Sequence, residues 1–394
     1  MKANRALAAP LLRLYALTLL FFSANAILNV IVPLQSATLG ASNGRIGAMM
    51  GAYMLACMCF RPWAGHLIHK HGPAAVLRFL LVVNGLALAM YAFAGLSGYT
   101  VARVIQGACT AFFSMTLQIG IMDALPEEQR AQGVSLYSLF TYMPTVFGPL
   151  IAIALWQAGG MDVFAAVIIG VAMATAIFGW SVPTLAVRPQ EDAAAAAPER
   201  QGVRGWQRQL TAQRPLVVCS LLMLIVSVVF GAVATFIPLY AKQVPHGQAG
   251  VYLTVQAAVI VAVRFAFRKR LPSDGKWHPR FVGGICLLAA AGAMMLSQAQ
   301  GPAALYAAAA MIGTAQALLY PTLVAYLTFV VPRASRNVWI GLFIATADLG
   351  VSMGGMAMGP VADRLSYSAM YLASAGLAAG AACLVAMNRS MRAG

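Results

Sequence analysis

Charge is scarce in this sequence of 394 residues: Asp, Glu, Lys and Arg together make up 9% of it, against about 25% in an ordinary soluble domain. Acidic residues are scarcer still, ten against 26 basic ones. With 61% hydrophobic residues and a mean hydropathy of +0.79, the chain has too little polar surface to face water all round, which excludes a soluble globular fold. A GxxxxGK[ST] phosphate loop is missing, and with it direct drive by ATP through that motif. HExxH is missing too, which removes one support of a membrane enzyme, and no catalytic residue is expected. The six cysteines (Cys57, Cys59, Cys109, Cys219, Cys286, Cys383) fall inside apolar stretches with neither CxxC nor zinc spacing. They read as small buried side chains, and neither a metal site nor a cofactor is expected.

Long apolar runs are what the sequence has in abundance. A membrane-spanning helix needs about 20 such residues, and the runs predict spans at 11–34, 45–64, 75–96, 98–122, 133–157, 162–183, 215–240, 248–268, 281–299, 303–329, 336–360 and 367–388. Lys2 and Arg5 precede the first run and Ala24-Asn25-Ala26 resembles a signal-peptide cleavage site, but the run continues through Ile27–Leu34, so an uncleaved first helix is expected. One long polar stretch, Ala186–Arg214, carries Pro189, Pro198, an alanine run and five arginines. It reads as a linker between an N-terminal half, 1–185, and a C-terminal half, 215–394.

Lys and Arg set the topology. Placed by these spans, 22 fall on one side, Arg45, Lys242 and Arg364 on the other, and Arg103 alone inside a span. The excess puts both termini and the linker in the cytoplasm, with the chain multi-pass in the plasma (inner) membrane. The net charge of +16 therefore reports topology, and no nucleic-acid partner is expected. The expected fold class is an all-α polytopic membrane protein with twelve transmembrane helices in two six-helix halves. The halves echo each other: Pro33 and Pro238 lie 205 residues apart, Arg61 and Arg264 lie 203 apart, and Pro126 and Pro332 lie 206 apart. A near-constant offset suggests a duplicated six-span unit.

The polar groups inside the spans are the candidates for function. Arg103 lies about four residues into the fourth span, and a charge there must face a cavity, a partner or the interface. It is read as a substrate contact and a proton-coupling group, with snorkelling to the headgroups as the other option. Asp348 lies about twelve residues into the eleventh span, roughly 18 Å from its end, where burial favours a protonated acid. It is the candidate proton carrier, or else a hydrogen-bonded acid holding the helix in place. Asn25 and Asn29 are four apart, hence on one face of the first span. With Gln106 and Gln316 they are substrate-contact candidates, and Gln118, Tyr142, Gln256 and Tyr320 are weaker ones. A cavity holding an arginine suits a substrate with carboxylates.

Three segments carry a family resemblance. Gly65-His-Leu-Ile-His69-Lys70-His-Gly72, joining the second and third spans, resembles the G-x-L-x-D-R/K-x-G loop of the major facilitator superfamily. That loop latches the two halves on the cytoplasmic side. His69 stands where the family has Asp, which implies a weaker or pH-sensitive latch or a solvated loop residue. Arg103-Val-Ile-Gln106-Gly107 resembles the family's R-x-x-Q-G signature, associated with proton coupling in drug exporters. Gly148-Pro149 resembles the core of the antiporter signature, although Ile151-Ala152 replace its glycine pair. The resemblance implies alternating access, with Arg61, Gly65, His69, Lys70, Gly72, Asp123, Gly148 and Pro149 as gating residues. Asp123 is expected to pair with Arg61, Lys70 or Arg130.

A narrower resemblance, to exporters of opine-type metallophores, rests on the stretch Phe22–Leu34, on Cys59–Gly65 and on Asp123–Pro126. The expected function is proton-coupled export of a small polar or anionic metabolite of that kind. The alternative is a multidrug efflux antiporter. The missing acid in the first span argues against efflux of cations. The expected partners are a small-molecule substrate, protons and the lipid bilayer, and the chain is expected to act as a monomer.

Overall fold

The computed structural model describes residues 8–180, 214–267, 272, 275–331 and 336–389, and of His69, Glu127, Glu128, Ala131 and residues 336–338 the backbone only. Apart from Arg214, the expected linker lies outside these residues. The described chain is all-helical: α1 (Ala9–Thr38), α2 (Asn43–His71), α3 (Pro73–Phe93), α4 (Leu96–Ala124), α5 (Glu127–Trp180), α6 (Arg214–Tyr240), α7 (Ala249–Phe267), α8 (Pro279–Ser297), α9 (Pro302–Val330), α10 (Arg336–Arg364) and α11 (Tyr367–Met387). Ten of these are long and apolar enough to cross a membrane. The exception, α2, carries Arg45, Arg61 and Lys70 along its length. Fully apolar sides face outward as well as inward, so Phe79, Phe93 and Ile177 are exposed, as lipid contact allows.

Local chemistry sets the helix ends. Ser42 caps α2 by accepting from the Arg45 amide at 3.3 Å, and Ser366 caps α11 by accepting from the Ala369 amide at 3.1 Å. Prolines open α3, α8 and α9 at the first helical position, where a missing N–H costs nothing. One difference from the sequence expectation follows from backbone chemistry. The segment Gly65–His71 continues α2 as helix, because nothing breaks it before Gly72. At Gly72 the backbone turns left-handed (φ 78°), and Pro73 starts α3 at once. The fifth and sixth runs form one 54-residue element broken at Gly159 and Gly160, the latter with φ 59°.

The chain divides into two compact units. The first comprises the described residues up to Arg188 together with Ala234–Lys242 and Gln248–Thr254, and the second comprises the rest. In the first, α1 packs chiefly on α5, α2 on α4, and α3 on both α4 and α5. In the second, α8 packs on α9 and α11.

The tightest crossings use glycine, as membrane helices do when backbones approach. A Cβ on Gly107 of α4 would stand 2.1 Å from the Tyr53 carbonyl oxygen of α2; one on Gly313 of α9 would stand 2.8 Å from the Gln256 carbonyl oxygen of α7. A Cβ on Gly148 of α5 would meet Ala26 of α1 at 2.6 Å, and one on Gly354 of α10 would meet Gly231 of α6 at 2.8 Å. These crossings match position by position: Tyr53 and Gln256 are 203 apart, Ala26 and Gly231 are 205 apart, and both glycine pairs are 206 apart. They are the same three offsets that the sequence shows.

In the first unit, α5 carries Pro144 and Pro149 inside the helix, and each removes an amide donor from the preceding turn. Thr254 Oγ1 donates to the Val146 carbonyl in that turn at 2.7 Å, as hydroxyls in membrane helices do for loosened backbone.

Candidate functional site

Helix α4 has one polar face. Arg103, Gln106, Gly107 and Thr110 follow the i, i+3, i+4, i+7 spacing that aligns residues on one side of a helix. Gly107 lets α2 come close, and this sets Tyr53 of α2 beside that face. Asn25 and Asn29 of α1 complete the cluster. Asn25 Nδ2 donates to Tyr53 Oη at 2.8 Å and to Thr110 Oγ1 at 3.4 Å, and those two hydroxyls share a hydrogen bond at 2.9 Å.

Arg103 lies at the centre, 0% exposed. Its Nη1 donates to Asn29 Oδ1 at 3.2 Å, and its Cζ lies 5.7 Å from the centre of the Tyr53 ring. Nε and Nη2 are buried and have no hydrogen-bond partner among the described residues. The first acid in the sequence is Asp123, twenty residues along α4 and hence about 30 Å away along that helix. Helices α1 to α3 therefore bring no carboxylate to this cation. Arginine does not shed its proton in proteins, so the charge persists, held by one aromatic face, Tyr53, and one amide, that of the exposed Asn29.

The expected site residues divide. Asn25, Asn29 and Arg103 come together. Gln106 is 1% exposed and accepts from Tyr91 Oη at 2.7 Å, so it ties α4 to α3. In the second unit Gln316 accepts from Gln256 Nε2 at 3.1 Å. This pair takes the positions equivalent to Thr110 and Tyr53 at the same offsets, 206 and 203. Asp348 is half-buried on α10.

Of the gating candidates, Arg61 and Asp123 are half-buried on α2 and α4, Lys70 is exposed, and the His69 side chain lies outside the described residues. Arg130 donates from Nε to the carbonyls of Met122 and Leu125, at 3.1 and 3.4 Å, capping the end of α4. Gly65 packs over Met115, whose Sδ would lie 3.5 Å from a Cβ there. Tyr53, Tyr91 and Thr110 are additions that the sequence reading lacked.

A cavity of about 520 Å³ opens elsewhere on α2, α3 and α4, lined by Phe60, His71, Phe79, Leu80, Val104, Phe112 and others. None of the polar cluster lines it, and its apolar walls offer nothing to a charged metabolite.

Known proteins match along almost the whole chain. A staphylopine export protein of Staphylococcus aureus is 49% identical over 369 residues, covering 93% of each chain. An uncharacterised transporter of Burkholderia mallei is 25% identical over 356 residues, covering 88% of this chain and 83% of its own. Among solved structures the nucleoside transporter NupG shares the fold at a TM-score of 0.76 with 14% identity, over 98% of this chain and all of its own. The family model described as the Major Facilitator Superfamily matches residues 14–355, and the chain belongs to that superfamily of membrane transporters.

Proposed function

We propose that this transporter exports a small anionic metabolite of the opine-type metallophore class in exchange for protons, by alternating access. The observation that carries the reading is Arg103: a buried guanidinium with two donors unused, in a stretch where no acid precedes Asp123. A substrate carboxylate supplies the missing negative charge. The similarity to a staphylopine export protein points to the same chemistry.

Twelve spans follow when the break at Gly159 and Gly160 is taken to separate two of them. The matched glycine crossings support two six-helix halves, 1–185 and 215–394, joined by a cytoplasmic linker. The basic residues favour cytoplasmic termini and an inner-membrane location. Asn25 and Asn29 serve as substrate contacts on α1, and Gln316 serves from the second half. Gln106 acts by holding Arg103's helix against α3. The residues from Gly65 to Gly72, with Arg61, Asp123, Gly148 and Pro149, form the moving parts.

The test compares small molecules inside and outside cells by mass spectrometry, with and without the gene, under metal limitation. A chelating metabolite should accumulate inside the deletion strain and return to the medium on complementation. An unchanged profile would remove the metallophore reading, and resistance to lipophilic drugs on expression would put multidrug efflux in its place.

Asp348 is the proposed proton carrier, about 18 Å along α10 from Arg336. Asp348→Asn is expected to abolish efflux driven by a pH gradient while sparing substrate-for-substrate exchange in vesicles, since exchange needs no proton release. If gradient-driven efflux survives in Asp348→Asn, the proton travels elsewhere.

A further inference from the structure

We propose that Tyr53 fixes the Arg103 guanidinium so that its Nε–Nη2 edge takes one carboxylate group side-on, which makes Tyr53 a positioning residue for the anion. The proposal rests on the reading of Arg103 as a substrate contact. Three restraints define the orientation. Nη1 is held by Asn29 Oδ1 at 3.2 Å. The cation lies against the Tyr53 ring, 5.7 Å from its centre. The ring itself cannot swing away, because its hydroxyl bonds Asn25 and Thr110 and the backbone carbonyl of Tyr53 abuts Gly107, one turn from Arg103.

What remains is a particular pair of donors. Nε and Nη2, the two nitrogens without a partner, lie on one edge of the guanidinium and point the same way. Their spacing matches the two oxygens of a carboxylate, so one group accepts two parallel hydrogen bonds. A halide has no second atom to match the fork, so on that edge it accepts two bent hydrogen bonds where a carboxylate accepts two straight ones. A lysine at this position would keep the charge and lose the edge. The guanidinium is buried, and Asn29, which holds Nη1 on the other edge, is exposed, so the cation lies next to a residue that solvent reaches.

The test uses the purified full-length protein and the arginine reagent phenylglyoxal, with modification of Arg103 read by peptide mass mapping. Equal concentrations of sodium acetate and sodium chloride are compared, so ionic strength is constant. In the wild type, acetate should slow the reaction at Arg103 by about threefold or more relative to chloride, because acetate meets both donors in line. Tyr53→Phe keeps the ring and the backbone contact at Gly107 but loses the hydroxyl bonds, and should retain part of the difference. Tyr53→Leu removes the ring and should erase it, whatever the absolute rate of modification becomes.

Equal protection by acetate and chloride in the wild type would overturn the side-on site. Undiminished acetate protection in Tyr53→Leu would overturn the role of Tyr53. An Arg103 that never reacts would also overturn the proposal, since a fork that no small molecule reaches is no binding site. The export reading fails separately, if wild-type vesicles do not take up an opine-type chelator while acetate protection at Arg103 stands.

Discussion

Arg103→Met is expected to give a more heat-stable protein that no longer transports. Both halves of that expectation come from the same buried charge. The guanidinium has one hydrogen bond and no acid on α1 to α3 to pair with. Even a paired buried ion is often replaced by apolar side chains of similar volume at no cost or with a gain of about 1–4 kcal/mol, and a cation with no acid beside it has less to lose. The substitution loses a bond to Asn29, which is exposed and can bond water instead. It also loses the contact with the Tyr53 ring, worth about 2 kcal/mol when desolvated, and methionine regains part of that through sulfur–aromatic packing. The net effect on stability should be a gain, read as a higher temperature at which half the purified protein stays monodisperse after heating.

Transport should move the other way. Removing one member of a buried, hydrogen-bonded charge pair costs about 2–5 kcal/mol, so kcat/KM should fall by roughly thirtyfold or more. A less stable Arg103→Met would mean that the charge is already compensated within the protein. Unimpaired transport by that variant would remove Arg103 from the site.

Gly107→Ala carries the second large expectation. A single methyl at this position would sit 2.1 Å from the Tyr53 carbonyl oxygen and 3.0 Å from its carbonyl carbon. Both are backbone atoms, so no rotamer relieves the overlap, and α2 and α4 must part. Overpacking in close-packed interiors costs about 1–3 kcal/mol, and here the displaced element is the one that carries Tyr53. Gly107→Ala should therefore lower the yield of folded protein and also raise KM in the molecules that do fold, as Tyr53 withdraws from Arg103. The equivalent change in the second unit, Gly313→Ala, meets the Gln256 carbonyl oxygen at 2.8 Å and should cost less. Yield after membrane extraction and uptake kinetics in vesicles measure the two effects. Equal tolerance of both substitutions would show that these crossings open more easily than their spacing implies.

The fold was legible because apolar runs of membrane length are hard to mistake, and the break between residues 157 and 162 falls where Gly159 and Gly160 interrupt α5. The end of α2 was not legible in the same way. Hydropathy falls at Gly65, but the helix continues to His71, since polarity ends a span without ending the hydrogen-bond ladder. Arg103 declared itself as a lone charge. Tyr53 and Thr110 did not, because tyrosine and threonine within apolar runs look like packing residues. A signal was nevertheless present: the offsets of 203 and 206 align Tyr53 with Gln256 and Thr110 with Gln316, polar residues at equivalent places in both copies. The pairing of Gln106 with Tyr91 had no sequence signal, since nothing local links α3 to one face of α4.

The glycine crossings at Gly107 and Gly313 have a further consequence. Each holds a side-chain hydrogen bond across the same pair of positions, a phenol with a hydroxyl in one unit and two amides in the other. The backbone acts as a socket indifferent to its contents. Chemistry at these places can then be exchanged in pairs without redrawing the helices: Tyr53→Gln with Thr110→Gln installs in the first unit the couple that the second already carries. A transporter assembled from such interchangeable sockets changes what it recognises by substitution at a handful of positions, while the interlocked glycines keep the scaffold constant.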